Sequence, residues 1–317
     1  MALRSCFTSN RRMWFPLQKD NPADSDAPWG QVAQRLLSIL PAGHSVDWDA
    51  CVAGYWKPGR WSSGIVGFPR TGTMSLSDLL YVDAQKASLV QNTEQLLAGL
   101  PANNALLWGA RGTGKSSLVH GVLSAYSSRG LRLVEVGKDV LTDLAQIIEE
   151  LAGQPYHFIV FCDDLSFEDD DASYKSLKSV LEGTVLAQAQ NVVIYATSNR
   201  RHLLAEKASD NAGSKIIDGE LHHGEAVEEK ISLSDRFGLW LSFYPVRQDE
   251  YLAMVEHAVT KLVSQVNAAQ LDSDIFLPDY YRLDALRWAL ARGVRNGRSA
   301  EHFARHWVGM QLLKQGG

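Results

Sequence analysis

Eight consecutive residues, Gly109-Ala110-Arg111-Gly112-Thr113-Gly114-Lys115-Ser116, have the types and spacing of a phosphate cradle, G-x-x-x-x-G-K-[ST]. Gly109, Gly112 and Gly114 let the backbone curl until its N–H groups point at phosphate oxygens. Lys115 is placed to neutralise β- and γ-phosphates and the Ser116 hydroxyl to ligate Mg²⁺, with Ser117 beside them as a further nucleotide contact. The flanks agree with that chemistry. Ala105-Leu106-Leu107-Trp108 is a short apolar run that predicts a buried strand. Ser117 to Ser127 predicts a helix with Leu118, Val122 and Leu123 on one face. A phosphate would then sit at a helix N-terminus, where the dipole favours anions.

Two further runs bring acids and an amide to strand ends. Phe158-Ile159-Val160-Phe161-Cys162 is continuously apolar, as in a central parallel strand, and leads into Asp163-Asp164. Ligands bind outside the carboxyl ends of such strands. Asp163 reads as a Mg²⁺ ligand, directly or through water. Asp164 reads as the group that polarises an attacking water, a task more often given to Glu. The competing reading is an acidic loop, because Glu168 to Asp171 continues the charge. Asn191 to Thr197 is another buried strand, and Asn199 beyond it either orients the lytic water or caps a turn.

The remaining elements must hold these groups in place. Leu131 to Val136 and Leu239 to Phe243 predict two more strands. Ala84 to Leu100, Val140 to Leu151 and Tyr174 to Leu181 predict helices. Leu79-Leu80-Tyr81-Val82 either lines an adenine pocket or packs in the core. Beyond Pro245 the pattern is helical over Gln248 to Val266, Tyr280 to Ala291 and Ser299 to Leu313, and rich in arginine. Glu206 to Glu229 reads as a surface excursion. Its His222 and His223 lack a Cys or acid at ligand spacing, so a solvated loop is the better reading than a metal site. The division predicted is an N-terminal Trp-rich extension over 1–73, an α/β core over 74–245 and a helical lid over 246–317.

The extension holds Trp14, Trp29, Trp48, Trp56 and Trp61 beside Lys57, Arg60 and Arg70, with a short helix predicted over Val32 to Leu40. Such a segment is either a mobile basic-aromatic arm that grips a partner or single-stranded nucleic acid, or a Trp-anchored strap on the core. The tendency of Trp to be buried favours the strap. A net charge of −5 over 317 residues provides no global basic field, so strong duplex-DNA binding is not expected. Cys6, Cys51 and Cys162 are scattered, which argues against a disulfide framework or zinc site and suits a reducing, cytoplasmic compartment. No apolar run is long enough to span a bilayer, and no membrane partner is expected.

Phosphate loop, Asp-Asp strand end, Asn-ended strand, Ser234-Asp235-Arg236-Phe237 and helical lid follow one another in an order that resembles the AAA+ ATPases. The resemblance implies an α/β core with a five-stranded parallel sheet in the order 5-1-4-3-2 and ATP with Mg²⁺ held between core and lid. It implies Asn199 as the sensor residue, Arg236 as the arginine finger and Arg298 as the second sensor arginine. Arg236 in an intrasubunit salt bridge, to Asp235 or a lid acid, is the alternative. The chain most nearly resembles a bacterial AAA+ family known as domain of unknown function 815, over about Leu76 to Leu313. The residues that carry the likeness are Asn103 to Ser117, Phe161 to Phe167, Tyr195 to Leu203 and Glu229 to Trp240. Protein unfoldases of the superfamily carry an aromatic-apolar-Gly pore loop after the second strand. Here Val136-Gly137-Lys138-Asp139-Val140 runs into a helix without an aromatic, and Ser234 to Gly238 looks more like initiator and loader ATPases. The expectation is a Mg²⁺-dependent ATPase that self-associates into a ring or helical oligomer and remodels or loads a macromolecular partner. The alternative is a nucleotide switch, a binding module with slow hydrolysis.

Overall fold

The computed structural model describes residues 46–60, 63–69, 74–167, 171–183, 189–200, 203, 235–265 and 277–315, and the backbone of 215–217 and 220–222. Two strands come first, β1 (Ala53–Lys57) and β2 (Gly64–Phe68), followed by helix α1 (Asp83–Leu97). Strand and helix then alternate through β3 (Ala105–Gly109), α2 (Lys115–Tyr126), β4 (Leu131–Glu135), α3 (Leu144–Leu151), β5 (His157–Cys162), α4 (Ala172–Glu182) and β6 (Val192–Ser198). The short pair β7 (Lys215–Ile217) and β8 (Glu220–His222) precedes β9 (Leu239–Phe243). Three helices close the chain, α5 (Gln248–Gln265), α6 (Pro278–Arg292) and α7 (Gly297–Gln315).

Seven strands form one sheet in the order β2-β1-β4-β5-β6-β3-β9, and β7 pairs with β8 alone. The sheet is parallel apart from the β1–β2 pair. The expected five-stranded sheet is therefore corrected to seven strands. Its members β9-β3-β6-β5-β4 stand consecutively, and β1 and β2 extend the edge beyond β4. Residues 53–57 and 64–68, expected in the extension, thus belong to the sheet. The reason is packing. The Trp56 ring is buried, and its Nε1 donates to Asp143 Oδ2 at 2.9 Å. Trp48 is buried edge-on against Phe158 at 5.0 Å, and its carbonyl accepts from Nε of the buried Arg132. A Cβ at Gly54 would come within 2.8 Å of the Ile65 side chain, so β1 and β2 approach with no room for one. Trp14, Trp29, Trp61, Arg70 and the helix expected over Val32 to Leu40 lie outside the described residues.

Side chains of the strands alternate between two cores, as the two-residue period of a strand requires. Leu133, Ile159 and Tyr195 pack with Leu89 and Leu96 of α1 and Leu118, Val122 and Leu123 of α2. Val134, Val160 and Ile194 pack with Ile147 and Ile148 of α3 and Leu177 of α4 on the other face. The helix expected over Val140 to Leu151 is two elements, a 3-10 helix Lys138–Asp143 followed by α3. The C-terminal helices have their own core of Tyr251, Val255, Tyr281, Phe303 and Trp307. Alternating strands and helices thus bring the ends of β3, β5 and β6 together, facing α5 and α7.

Candidate functional site

The loop between β3 and α2 is shaped by backbone conformations that favour glycine. Gly109, Gly112 and Gly114 have φ of 136°, 76° and 98°. Gly109 also lies so close to β9 that an added Cβ would be 2.0 Å from the Phe243 carbonyl oxygen. The loop closes on Lys115, whose Nζ donates to the carbonyls of Gly109 and Ala110 at 2.8 Å each and to Asn199 Oδ1 at 3.1 Å. Burial pulls the Lys115 pKa below that of a free lysine. Asp164 and Asp163 oppose that shift, while Arg111 and Arg298 add to it. Thr113 Oγ1 donates back to the Ala110 carbonyl at 2.8 Å.

The β5 and β6 ends meet the loop. Ser116 Oγ donates to Asp163 Oδ1 at 2.7 Å, and Thr197 Oγ1 donates to the same oxygen at 2.6 Å. The Thr197 hydroxyl also accepts from the Asp164 backbone N–H at 2.8 Å. Asp164 is held at φ 52°, a left-handed conformation that Asp tolerates better than bulkier residues. Its carboxylate accepts from Asn199 Nδ2. Asp163, Asp164 and Asn199, expected at one level from two neighbouring strand ends, are thus brought together with Lys115 and Ser116.

These groups line a cleft of about 960 Å³. Arg111, Gly112, Thr113, Gly114, Ser117 and Arg298 also line it, whereas Gly109 and Ala110 lie behind and serve Lys115 through their carbonyls. Leu79, Leu80 and Val82 also line it, with Met254, Ala258 and Leu262 of α5. Tyr81 instead is half exposed, at φ 62°.

Among the described residues, the C-terminal helices and the turn before α7 are tied to this cleft at two points. Asn296 Nδ2 donates to the Arg111 carbonyl at 2.9 Å, and its Oδ1 accepts from the Ser299 N–H at 2.8 Å. A Cβ at Gly112 would stand 2.5 Å from Asn296 Nδ2, so this glycine leaves room for the Asn296 contact as well as for the turn. At the other end, Asp78 accepts from Lys261 Nζ at 2.5 Å and stands 3.3 Å from His257 Nε2, both on α5. Burial of Asp78 would raise its pKa, but these two partners and the Ser75 N–H together pull it below the usual carboxylate range.

Arg236, also predicted as a site residue, is not among the residues that line the cleft. Its guanidinium pairs with Glu182, the last residue of α4. This is an intrasubunit pair, with a partner other than Asp235 or a lid acid. Thr197, Asn296, Asp78, His257 and Lys261 were not read as site residues from the sequence. Thr197 looks there like one more β-branched strand residue, and the others act across the fold. Arg201 and His202 lie outside the described residues.

The donor set fits a magnesium nucleotide. A hydroxyl and a carboxylate converge within 2.7 Å, beside a buried ammonium and a loop of backbone N–H groups. Sheet and loop define a mostly parallel α/β architecture with a glycine-rich turn between β3 and α2. More specifically, the chain belongs to the family described as protein of unknown function (DUF815), whose model matches residues 49–311. No protein of curated function matches it. Among solved structures, it is similar to PCH-2 of C. elegans, at 14% identity over 75% of this chain and 72% of that one, with TM-score 0.45. A DNA replication initiation factor matches at 13% identity over 76% and 64%, with TM-score 0.44. The Thermotoga maritima RuvB Holliday junction branch migration motor matches at 13% over 73% and 70%, with TM-score 0.39.

Proposed function

We propose that the protein binds ATP with Mg²⁺ in the cleft and hydrolyses it. The observation that carries this reading is the convergence of Lys115, Ser116 and Asp163 at the mouth of the glycine loop. The loop N–H groups and Lys115 bind the phosphates. Ser116 and Asp163 hold the cation, which when bound neutralises charge on the phosphate oxygens. Asp164 takes a proton from the attacking water, and Asn199, within reach of both Asp164 and Lys115, orients that water. Arg298, on the first turn of α7, reaches the phosphates from the lid side and couples lid position to occupancy.

The proposed assembly is a ring or helical oligomer in which Arg236 reaches a neighbour's nucleotide and the turnover remodels or loads a macromolecular partner. In that reading the Arg236–Glu182 pair is the resting position of the finger, and it opens when a neighbour docks. A cytoplasmic location is part of the proposal. No helix among the described residues is long and apolar enough to cross a membrane. The free, buried Cys162, its thiol pushed up to about 12 by burial, is inert and needs no oxidising compartment.

One observation favours the nucleotide-switch alternative. Asp164 is a methylene shorter than Glu and already engaged by Asn199, which suits slow hydrolysis. Steady-state phosphate release with excess ATP separates the two readings. A remodelling ATPase turns over at about 1 s⁻¹ or faster in the presence of its partner, and a switch stays well below that. Asp164→Asn should bind ATP and release no phosphate. Normal release by this variant would remove Asp164 from the role of base.

A further inference from the structure

The cleft holds a second acid–histidine pair that none of the roles above uses. His120 stands one helical turn after Ser116 on α2, on the same face. Its ring packs edge-on against Phe161 at 5.5 Å, which fixes the imidazole. Glu135 is the last residue of β4, paired in register with Phe161 on β5, two residues before Asp163. The Glu135 carboxylate lies 3.8 Å from His120 Nε2, and both side chains line the cleft. Helix α2 and the residue after strand β5 thus each carry one of the proposed cation ligands, Ser116 and Asp163. A further polar group sits beside them, His120 on the same helix and Glu135 on the neighbouring strand.

A bound Mg²⁺ dehydrates reluctantly and keeps several waters, with only one or two protein groups in direct contact. Those waters present hydrogens that need acceptors, and an ionised carboxylate is acceptor only. Groups that hold such an outer shell set the cation's position and affinity as strongly as many direct ligands. We propose that Glu135, oriented by His120, is the outer-sphere carboxylate of this site. It accepts hydrogen bonds from water on a divalent cation carried by Ser116 and Asp163, and so positions that cation. The assignment rests on reading the cleft as a magnesium-nucleotide site. Glu135 is a positioning residue, and it transfers no proton to or from substrate. The alternative is a partly exposed Glu–His pair without effect on a cation.

The test is a titration of MgCl₂ into the full chain with a fluorescent N-methylanthraniloyl-ATP, read as binding and not as turnover. In EDTA, wild type and Glu135→Gln should bind the nucleotide alike. The Mg²⁺ midpoint of Glu135→Gln should rise by about 10–100-fold. Glu135→Asp should fall between, and His120→Gln should shift the midpoint the same way by less. A wild-type midpoint in Glu135→Gln, with a clear Mg²⁺ response in both proteins, overturns the proposal and leaves the nucleotide site standing. If Glu135→Gln fails to fold by circular dichroism, Glu135→Asp carries the test, and an unshifted midpoint there overturns it equally. A wild type that binds no nucleotide with or without Mg²⁺ removes the site reading itself, and this assignment with it.

Discussion

Replacing Thr197 by Val keeps the shape of a residue that is 1% exposed and deletes one hydroxyl. That hydroxyl donates to Asp163 Oδ1 at 2.6 Å and accepts from the Asp164 N–H at 2.8 Å. A hydrogen bond to a charged group contributes about 1.5–3 kcal/mol, and a stranded backbone N–H costs about 1–3 kcal/mol. Asp163 and Asp164 open onto the cleft, so the low end of each range applies. One hydroxyl serves both bonds, so the terms are coupled and need not add in full. The expected loss is about 2 kcal/mol, with no cavity contribution because the volume is unchanged. At a urea slope of about 2–3 kcal/mol/M, the unfolding midpoint should fall by roughly 1 M. Thr197→Ser keeps the hydroxyl and loses a methyl, so it should fall by less, near the ~0.8 kcal/mol of one buried methylene. A Thr197→Val protein as stable as wild type, or a Thr197→Ser protein less stable than Thr197→Val, would contradict a stabilising role for this hydroxyl.

Other consequences follow from the same geometry. Arg236→Ala and Lys115→Ala should each be inactive alone, and mixing them should restore some activity. An exchanging oligomer that stays inactive in the mixture would remove the trans role of Arg236, whose loss should otherwise cost on the order of 10³-fold or more in rate. Glu182→Gln frees Arg236 from its partner and should leave turnover at or above wild type; inactivity equal to that of Arg236→Ala would make the pair itself the functional unit. Asp78, with its lowered pKa, contributes stability that is present above its unfolded value, about 3.9, and is lost as pH falls through the lower folded value. Urea unfolding of wild type and Asp78→Asn should therefore differ at neutral pH and converge in acid. A gap that stays constant with pH would show that the latch to His257 and Lys261 does not depend on that charge.

The phosphate loop was legible because its constraints are local. Two glycines, a lysine and a serine must stand at fixed spacing, and Gly109, Gly114, Lys115 and Ser116 do, both glycines with positive φ. The place of Asp163 just beyond a buried strand was legible for a related reason, since a run buried on both faces ends where the chain leaves the sheet. β1 and β2 were not. AGYWK and GIVGF are short and glycine-rich, and what makes β1 a strand is β4, about eighty residues further on. Thr197 was missed because its role depends on the register of β5 beside β6, where Phe161 pairs with Tyr195. Asp78 and His257 are 179 positions apart, beyond any pattern within a window. The Arg236 motif was visible as a motif. Its Glu182 partner was not, because only the fold brings the end of α4 to the turn before β9.

The central claim is that the glycine loop and Lys115 bind nucleotide phosphates. Isothermal titration calorimetry of ATP with Mg²⁺ into the wild type and Lys115→Ala tests it most directly. The account predicts saturable binding by the wild type, roughly one nucleotide per chain with micromolar affinity, equivalent to about −8 kcal/mol. It predicts no measurable heat from a Lys115→Ala protein that remains folded. Equal affinity in the two proteins, or no binding by the wild type, would contradict it.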